Sequence, residues 1–524
     1  MPCAGAEAGR MFRRMPVRYR VAAALAASLL AACARTPVDV TLITFNDLHG
    51  TFGTAGIEPT SRRAWGGAMA LAAYVESMRR AVPERTFLLD AGDAWQGTPE
   101  SNFSFGRSTV GFLNRLGVDA AALGNHEFDW GIDTLRARIA EMRFPMLAAN
   151  VFEKNGGTPS WARGWAMVER DGIRVGVIGF ITPDTPKVTL PQNVQSLRFA
   201  PPEQQVDSLV ALVRSRGAQI VVLLCHIGAN QDSLGVITGP LAELAQHARG
   251  VDAIVGGHEH TFVAGHVAGI PVVTAGTKGR GIGRIVLRWN GRRVLASQVE
   301  WQPVFADSLP AAPATSVAAF VDSVRRATAP FVDRVYARIA RGLTREQLAS
   351  FVADAMRERS GADVAVANLG GVRTEFEPGD ITEADLFTLI PFENTLVTAR
   401  LTGRELVDFL ASDPMEARVS GLGGRYVAKA AAGARLVDLV DARGKPLDPA
   451  ADYLVVTNNF LAHGGDGFQG FLQGRDVRFT EDRVRDVVRE ALIAAAASGR
   501  LGALSDEARI RGSGRRKPTG ARRR

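Results

Sequence analysis

From Val40 to about Trp301 the sequence repeats one phrase: a short apolar run, rich in β-branched residues, followed at once by Gly, Asp, Asn or His. The runs are Val40–Phe45, Thr86–Leu89, Ala120–Leu123, Val175–Phe180, Ile220–Leu224 and Ala253–Val255. An unbroken apolar run of this length suits a strand covered on both faces. Between several runs the period becomes helical, as over Gly67–Arg80, where Met69, Leu71, Ala72 and Val75 fall on related turns. Buried strands alternating with helices predict a layered α/β domain. In such folds ligands collect beyond the carboxyl ends of the strands, and the polar clusters of this chain stand there.

The remaining sequence follows a different grammar. Residues 305–335 read as a Pro/Ala stretch and a connecting helix with Val317, Phe320, Val321 and Val324 on one face. Residues 336–500 predict a helix near Glu346–Arg357, strands near Val364–Ala367 and Tyr453–Thr457, and a last helix near Glu481–Ile493. At 524 residues the chain has room for two or three domains, each able to bury its own core.

The formal charge of +8 would suggest a nucleic-acid partner were it spread over the molecule. It is not. Residues 1–32 and 509–524 are strongly basic, and the body between them carries four more acids than bases. No nucleic-acid partner is expected, and residues 501–524 read as a basic, disordered tail. At the other end Arg13, Arg14, Arg18 and Arg20 precede the apolar run Val21–Ala32. That run is too short to span a bilayer and ends in small residues, so residues 1–32 read as a secretory signal. Leu30-Ala31-Ala32-Cys33 resembles a bacterial lipobox, which implies a lipid anchor at Cys33 and a place in the cell envelope, periplasmic or on the outer surface. With Cys3 removed and Cys33 lipidated, only Cys225 remains, so no intrachain disulfide is expected.

Five polar clusters follow the strands: Asn46-Asp47-Leu48-His49, Gly92-Asp93, Gly124-Asn125-His126-Glu127-Phe128-Asp129, Cys225-His226 and Gly257-His258-Glu259-His260. They hold five of the chain's eight histidines. Any one of them reads as a cap or a turn; together they supply imidazole, carboxamide and carboxylate donors suited to zinc-like or manganese-like cations. A carboxylate among them is able to bridge two cations, and such a pair clamps the attacking and leaving oxygens of a phosphoryl group and acidifies bound water.

With these clusters the sequence resembles the calcineurin-like metallophosphatases, specifically the 5′-nucleotidase/UDP-sugar hydrolase family, over residues 38–500. The resemblance implies a metallophosphatase β-sandwich flanked by helices over 38–304 and a second, smaller α/β substrate-binding domain. It implies two divalent metal ions, Zn, Mn or similar. Asp47, His49 and His260 would hold one, Asn125, His226 and His258 the other, and Asp93 would bridge them. Many relatives have Gln where His260 stands. His126 and Asp129 would be the catalytic pair, a histidine oriented by a carboxylate beside the phosphoryl group.

In the second half, Asn368-Leu369-Gly370-Gly371-Val372-Arg373 resembles the family's phosphate-gripping segment, which implies substrate roles for Asn368, Gly370 and Arg373. Phe392 and Phe460 match the family's base-sandwiching rings, and Asp466 its ribose-binding carboxylate. Thr344-Arg345-Glu346-Gln347 departs from the family pattern and leaves a phosphate role for Arg345 weak. The expected activity is 5′-nucleotidase, by attack of a metal-activated hydroxide. A cyclic-nucleotide phosphodiesterase/3′-nucleotidase, a UDP-sugar hydrolase, a thiosulfohydrolase and an inert binding lipoprotein are the competing readings.

Overall fold

A computed structural model describes residues 36–412, 416–427, 436–504 and 509–512. The signal segment, the lipobox with Cys33 and the basic residues beyond 512 lie outside them.

The first half is built on two six-stranded sheets. One runs, in spatial order, Val294–Pro303, Gly281–Trp289, Val38–Phe45, Thr86–Asp90, Ala120–Ala122 and Met146–Leu147. The other runs Phe262–Val267, Ile270–Ala275, Ala253–Val255, Ile220–His226, Ile173–Ile181 and Trp165–Arg170. The central strands pair in parallel, as Val38–Phe45 does with Thr86–Asp90 and Ile173–Ile181 with Ile220–His226.

The apolar runs are continuous because alternate residues enter two different cores. Val40, Leu42, Phe87 and Leu89 from one sheet meet Val175, Val177, Val222 and Leu224 from the other in the sandwich interior. Their neighbours Ile43, Phe45 and Leu88 face helices Ala68–Ala81 and Arg107–Leu116, while Val221, Leu223 and Cys225 face helices Val206–Ser215 and Pro240–His247. The result is four layers, helix–sheet–sheet–helix. The six strands read from the sequence are all present, differing only in their ends.

The connecting helix spans Thr315–Val332. Val317 and Val321 are buried in the first half's core, with Phe320 and Val324 packed against it, so the connector is docked along its length. The second half has a five-stranded sheet in the order Ala417–Ser420, Val364–Asn368, Asp452–Asn458, Thr395–Thr402, Arg475–Arg483. Helices Arg345–Ser360 and Val484–Ala497 cover one face and Gly403–Ala411 the other. Among the described residues no helix is long and apolar enough to cross a membrane.

Two sequence expectations are corrected. Residues 481–483 end the strand Arg475–Arg483, and the last helix begins at Val484. This strand lies at the sheet edge and is largely exposed on both faces, so it lacks the apolar alternation that marks a strand. The tail is also ordered further than its composition suggests. Leu501 is buried, and Ile510–Gly512 pairs in parallel with Leu422–Tyr426. There Arg509 is held by Asp354 Oδ2 at 2.6 Å and by the carbonyl of Val419 at 2.7 Å, so its charge is matched inside the fold.

Candidate active site

Each candidate metal ligand sits at or just beyond the carboxyl end of a central strand. Asp47 and His49 follow Val38–Phe45, Asp93 follows Thr86–Asp90 and Asn125 follows Ala120–Ala122. His226 ends its strand, and His258 and His260 follow Ala253–Val255. The two sheets therefore deliver donors from opposite sides to one place. The turns that carry them are tight: Asp47, His49, Asp93, His258 and His260 all have positive φ, between 49° and 80°. Left-handed backbone at non-glycine residues costs about 1–3 kcal/mol each and collects at functional sites.

Two donor groups result. Asp47, His49 and His260 place ligand atoms within 4.8 Å of one another, and so do Asp93, His226 and His258. In the first, Nε2 of His49 and of His260 are 3.0 Å apart, and Asp47 Oδ1 lies 3.3 Å from His260 Nε2. In the second, Asp93 Oδ2 is 3.0 Å and Asn125 Oδ1 3.2 Å from His226 Nε2. Asp47 Oδ1 is buried and, among the described residues, has no hydrogen-bond donor. An orphaned carboxylate oxygen beside converging imidazole nitrogens is a donor set that fits divalent cations.

Several of these candidate ligands are held from their far side. His49 Nδ1 donates to the carbonyl of Gln96 at 2.7 Å and His226 Nδ1 to that of Ala91 at 2.8 Å, which aims both Nε2 atoms inward. Asp47 Oδ2 accepts from Asn46 Nδ2 at 2.6 Å and from the His258 amide at 2.9 Å. Glu127 accepts from the amides of Asp93, Ala94 and Gly124 at 3.0, 2.8 and 2.8 Å, fixing the Asp93 turn. Gly124 is required here, because a Cβ would lie 2.2 Å from Asp93 Oδ1.

Burial governs the electrostatics. It opposes charge on His226, but the adjacent Asp93 carboxylate outweighs it and pushes the imidazole up to about 10. His258, half-buried and facing His226, is pushed down to about 4, loss of solvation first and the His226 charge second. Burial raises the Glu127 carboxyl to about 7, with Asp93 adding to the effect. For His126 burial again works against the proton, yet the carboxylates of Asp129 and Asp93 raise its pKa above the ordinary imidazole value.

His126 and Asp129 meet as the sequence implied. Nδ1 of His126 donates to Asp129 Oδ2 at 2.7 Å, leaving Nε2 4.0 Å from Asp93 Oδ2. The other Asp129 oxygen accepts from Thr189 Oγ1 at 3.0 Å. Nothing in the local sequence marked Thr189, whose partner lies 60 residues away.

The second half closes over this floor. Arg373 brings Nη2 to within 3.5 Å of His49 Nε2, and the Phe392 ring lies 5.8 Å from that of His126. Asn368 donates to Asp466 at 2.6 Å, and Asp466 itself has positive φ. Gly370 lies in the same turn, its amide donating to Glu416 at 3.1 Å. One cavity is lined from the first half by Asp93, Asn125, His126, Asp129, His258 and His260. From the second half it is lined by Asn368, Gly370, Arg373, Phe392, Phe460 and Asp466. Arg345 stands apart from these: it donates to the carbonyls of Val372 at 2.6 Å and Leu369 at 2.8 Å, propping the turn that carries Arg373. Capping of the helix by Thr344 and Gln347 places Arg345 in the first turn, beneath that loop.

Similarity to known proteins agrees with this geometry. Residues 40–262 match the calcineurin-like phosphoesterase family and residues 326–473 the 5′-nucleotidase C-terminal domain. The protein UshA of Yersinia enterocolitica is 29% identical, over 82% of this chain and 86% of its own. A 5′-nucleotidase of Vibrio vulnificus is 27% identical over 87% of this chain and 92% of its own. The crystal structure of a 5′-nucleotidase precursor from Thermus thermophilus superposes with a TM-score of 0.80 at 27% identity, covering 91% of this chain and 99% of that one. Two donor groups under a shared cavity, on a chain matched in both halves, place it in the 5′-nucleotidase/UDP-sugar hydrolase family, as a phosphoric ester hydrolase that works with two divalent metal ions.

Proposed function

We propose that this protein is an exported, lipid-anchored 5′-nucleotidase. The observation that carries the reading is a cavity lined both by candidate metal-site residues and by Arg373, Phe392, Phe460 and Asp466. A ligand that satisfies both ends has a phosphate, a sugar hydroxyl and a flat ring.

In this reading Asp47, His49 and His260 would hold one cation and Asn125, His226 and His258 the other, with the Asp93 carboxylate available to both. The two cations, when bound, polarise the phosphoryl group and activate water for attack. The rest is done by the chain. Arg373 neutralises phosphate oxygens with a planar fork. Phe392 and Phe460 hold the base by area and stacking without selecting one base. Asp466, positioned by Asn368, accepts from the ribose hydroxyls. His126, kept protonated by Asp129, delivers the proton from Nε2 to the departing 5′ oxygen.

A screen of metal-supplemented protein against 5′-mononucleotides, cyclic nucleotides and nucleotide sugars tests the substrate. Phosphate release from 5′-mononucleotides is expected; turnover confined to either other class would sink the reading. Phe460→Ala should raise KM for mononucleotides roughly tenfold, the loss of one stacked ring. Hydrolysis of p-nitrophenyl phosphate, which has no base, should be unchanged; an equal loss on both substrates would remove the stacking role.

The anchor rests on the lipobox resemblance at Cys33. Expressed in a bacterial host, Cys33→Ala is expected to move the protein from the membrane fraction to the soluble envelope fraction without loss of activity. Unchanged fractionation would exclude lipidation at this residue.

A further inference from the structure

Among the described residues, one polar side chain of the cavity has a carboxamide without a partner. Gln96 lies in the turn after Asp93, is 2% exposed and lines the cavity together with Asp93, Asn125, His126 and Arg373. Its backbone is employed, since the carbonyl accepts from His49 Nδ1 at 2.7 Å. Its carboxamide is not: neither Oε1 nor Nε2 has a hydrogen-bond partner among the described residues. A buried carboxamide carries two donors and an acceptor, and leaving all of them unpaired is costly enough that native proteins seldom do so without a ligand.

The backbone on both sides of Gln96 is tied down. The Ala94 carbonyl accepts from Gly50 at 2.8 Å, the Ala94 amide donates to Glu127 at 2.8 Å, and the Gly97 amide donates to Asn102 Oδ1 at 3.0 Å. Gly97 has φ of 154°, and a Cβ there would lie 2.6 Å from the His49 carbonyl. The turn is therefore pressed directly onto a candidate metal ligand. Gln96 thus belongs to the lining of the cavity that a phosphoryl group must enter to meet the donors.

We propose that Gln96 is a further catalytic residue of this enzyme, its Nε2–H donating to a non-bridging oxygen of the phosphoryl group in transfer. This rests on the phosphoester hydrolysis established above and not on the nucleotide reading. A fixed neutral donor aimed at developing negative charge stabilises the transition state without reorganising, and loss of one such donor costs about 10²–10³ in rate.

The test compares metal-loaded wild type with Gln96→Leu, which keeps the bulk and removes every polar atom. With p-nitrophenyl phosphate, kcat should fall about 100-fold. Inorganic phosphate, the probe ligand, should bind about tenfold more weakly by calorimetry, with two metals per chain retained. A variant within threefold of wild type on both measures overturns the proposal. Loss of a metal from the variant also overturns it, assigning the carboxamide to the metal sites. Should Gln96→Leu fail to fold, crystals of metal-loaded wild type with inorganic phosphate decide the matter. A Gln96 side-chain atom within about 3.2 Å of a phosphate oxygen supports the contact, and a separation beyond about 4 Å excludes it. A wild-type enzyme that ignores mononucleotides but cleaves p-nitrophenyl phosphate would remove the nucleotide reading and leave Gln96 to be judged by these measurements.

Discussion

Asp93→Ala is expected to lower kcat by at least about 10³-fold, which corresponds to about 4 kcal/mol of transition-state stabilisation, and to leave fewer than two metals per chain by elemental analysis. The expectation follows from where the carboxylate stands. Oδ2 faces His226 Nε2 at 3.0 Å, and Oδ1 accepts from the amide of His126 at 2.8 Å. One side chain thus joins a candidate metal-donor histidine to the backbone that carries the candidate acid. Its removal also leaves the buried His226 without its counter-charge in the metal-free protein. Breaking a buried charged pair from one side costs about 3–5 kcal/mol, so thermal stability without metal should fall as well. Asp93→Asn separates the effects: it keeps the volume and a hydrogen-bond acceptor and discards the charge. Chelation of the wild type should likewise abolish turnover, and manganese or zinc should restore it. Turnover at the wild-type rate by Asp93→Ala with two bound metals would show that the carboxylate does not serve the metal pair.

His126→Ala is expected to cut kcat on 5′-mononucleotides by about 10²–10⁴, the range for loss of a positioned acid, with two metals retained. The imidazole is oriented through Nδ1 by Asp129 at 2.7 Å, and the opposite Asp129 oxygen is tied to Thr189 at 3.0 Å. Nε2 is the end left to act. The deficit should shrink on p-nitrophenyl phosphate, because that leaving group departs without a proton. Asp129→Asn should reproduce the pattern at smaller amplitude, since it retains the imidazole and loses the charge that orients it. Equal deficits on the two substrates would place His126 in phosphate binding and not in leaving-group protonation.

Both expectations rest on residues whose importance is legible in the amino-acid sequence alone. Asp47, His49, Asp93, Asn125, His226, His258 and His260 each stand directly after an apolar run, because a strand that ends in a sandwich must turn there. That turn is encoded by neighbouring residues. The His126–Asp129 pair is similarly local, three positions apart in one turn. Arg373, Phe392, Phe460 and Asp466 stand out through resemblance, and the fold brings all four to one cavity.

Less is legible where a residue's meaning depends on a distant partner. Arg345 has no clear role in the sequence and proves to brace carbonyls 24 and 27 residues away. The strand ending at Arg483 lacks the alternation of a half-buried strand, so its last residues read as the start of the following helix. The ordered Ile510–Gly512 is hidden in a run whose composition says only that it is basic.

The sequence by itself determined the layered α/β class, the strand-end placement of the donors and the choice of chemistry, since periodicity and side-chain type are properties of short segments. Tertiary structure alone decided that Asp47 accepts from the amide of His258, 211 residues on, that Thr189 holds Asp129, and that the carboxamide of Gln96 finds no partner among the described residues. Those facts depend on how two sheets stack and how the second half closes over them. Contacts between segments far apart in the chain are fixed by packing of the whole, which no local pattern of residues records.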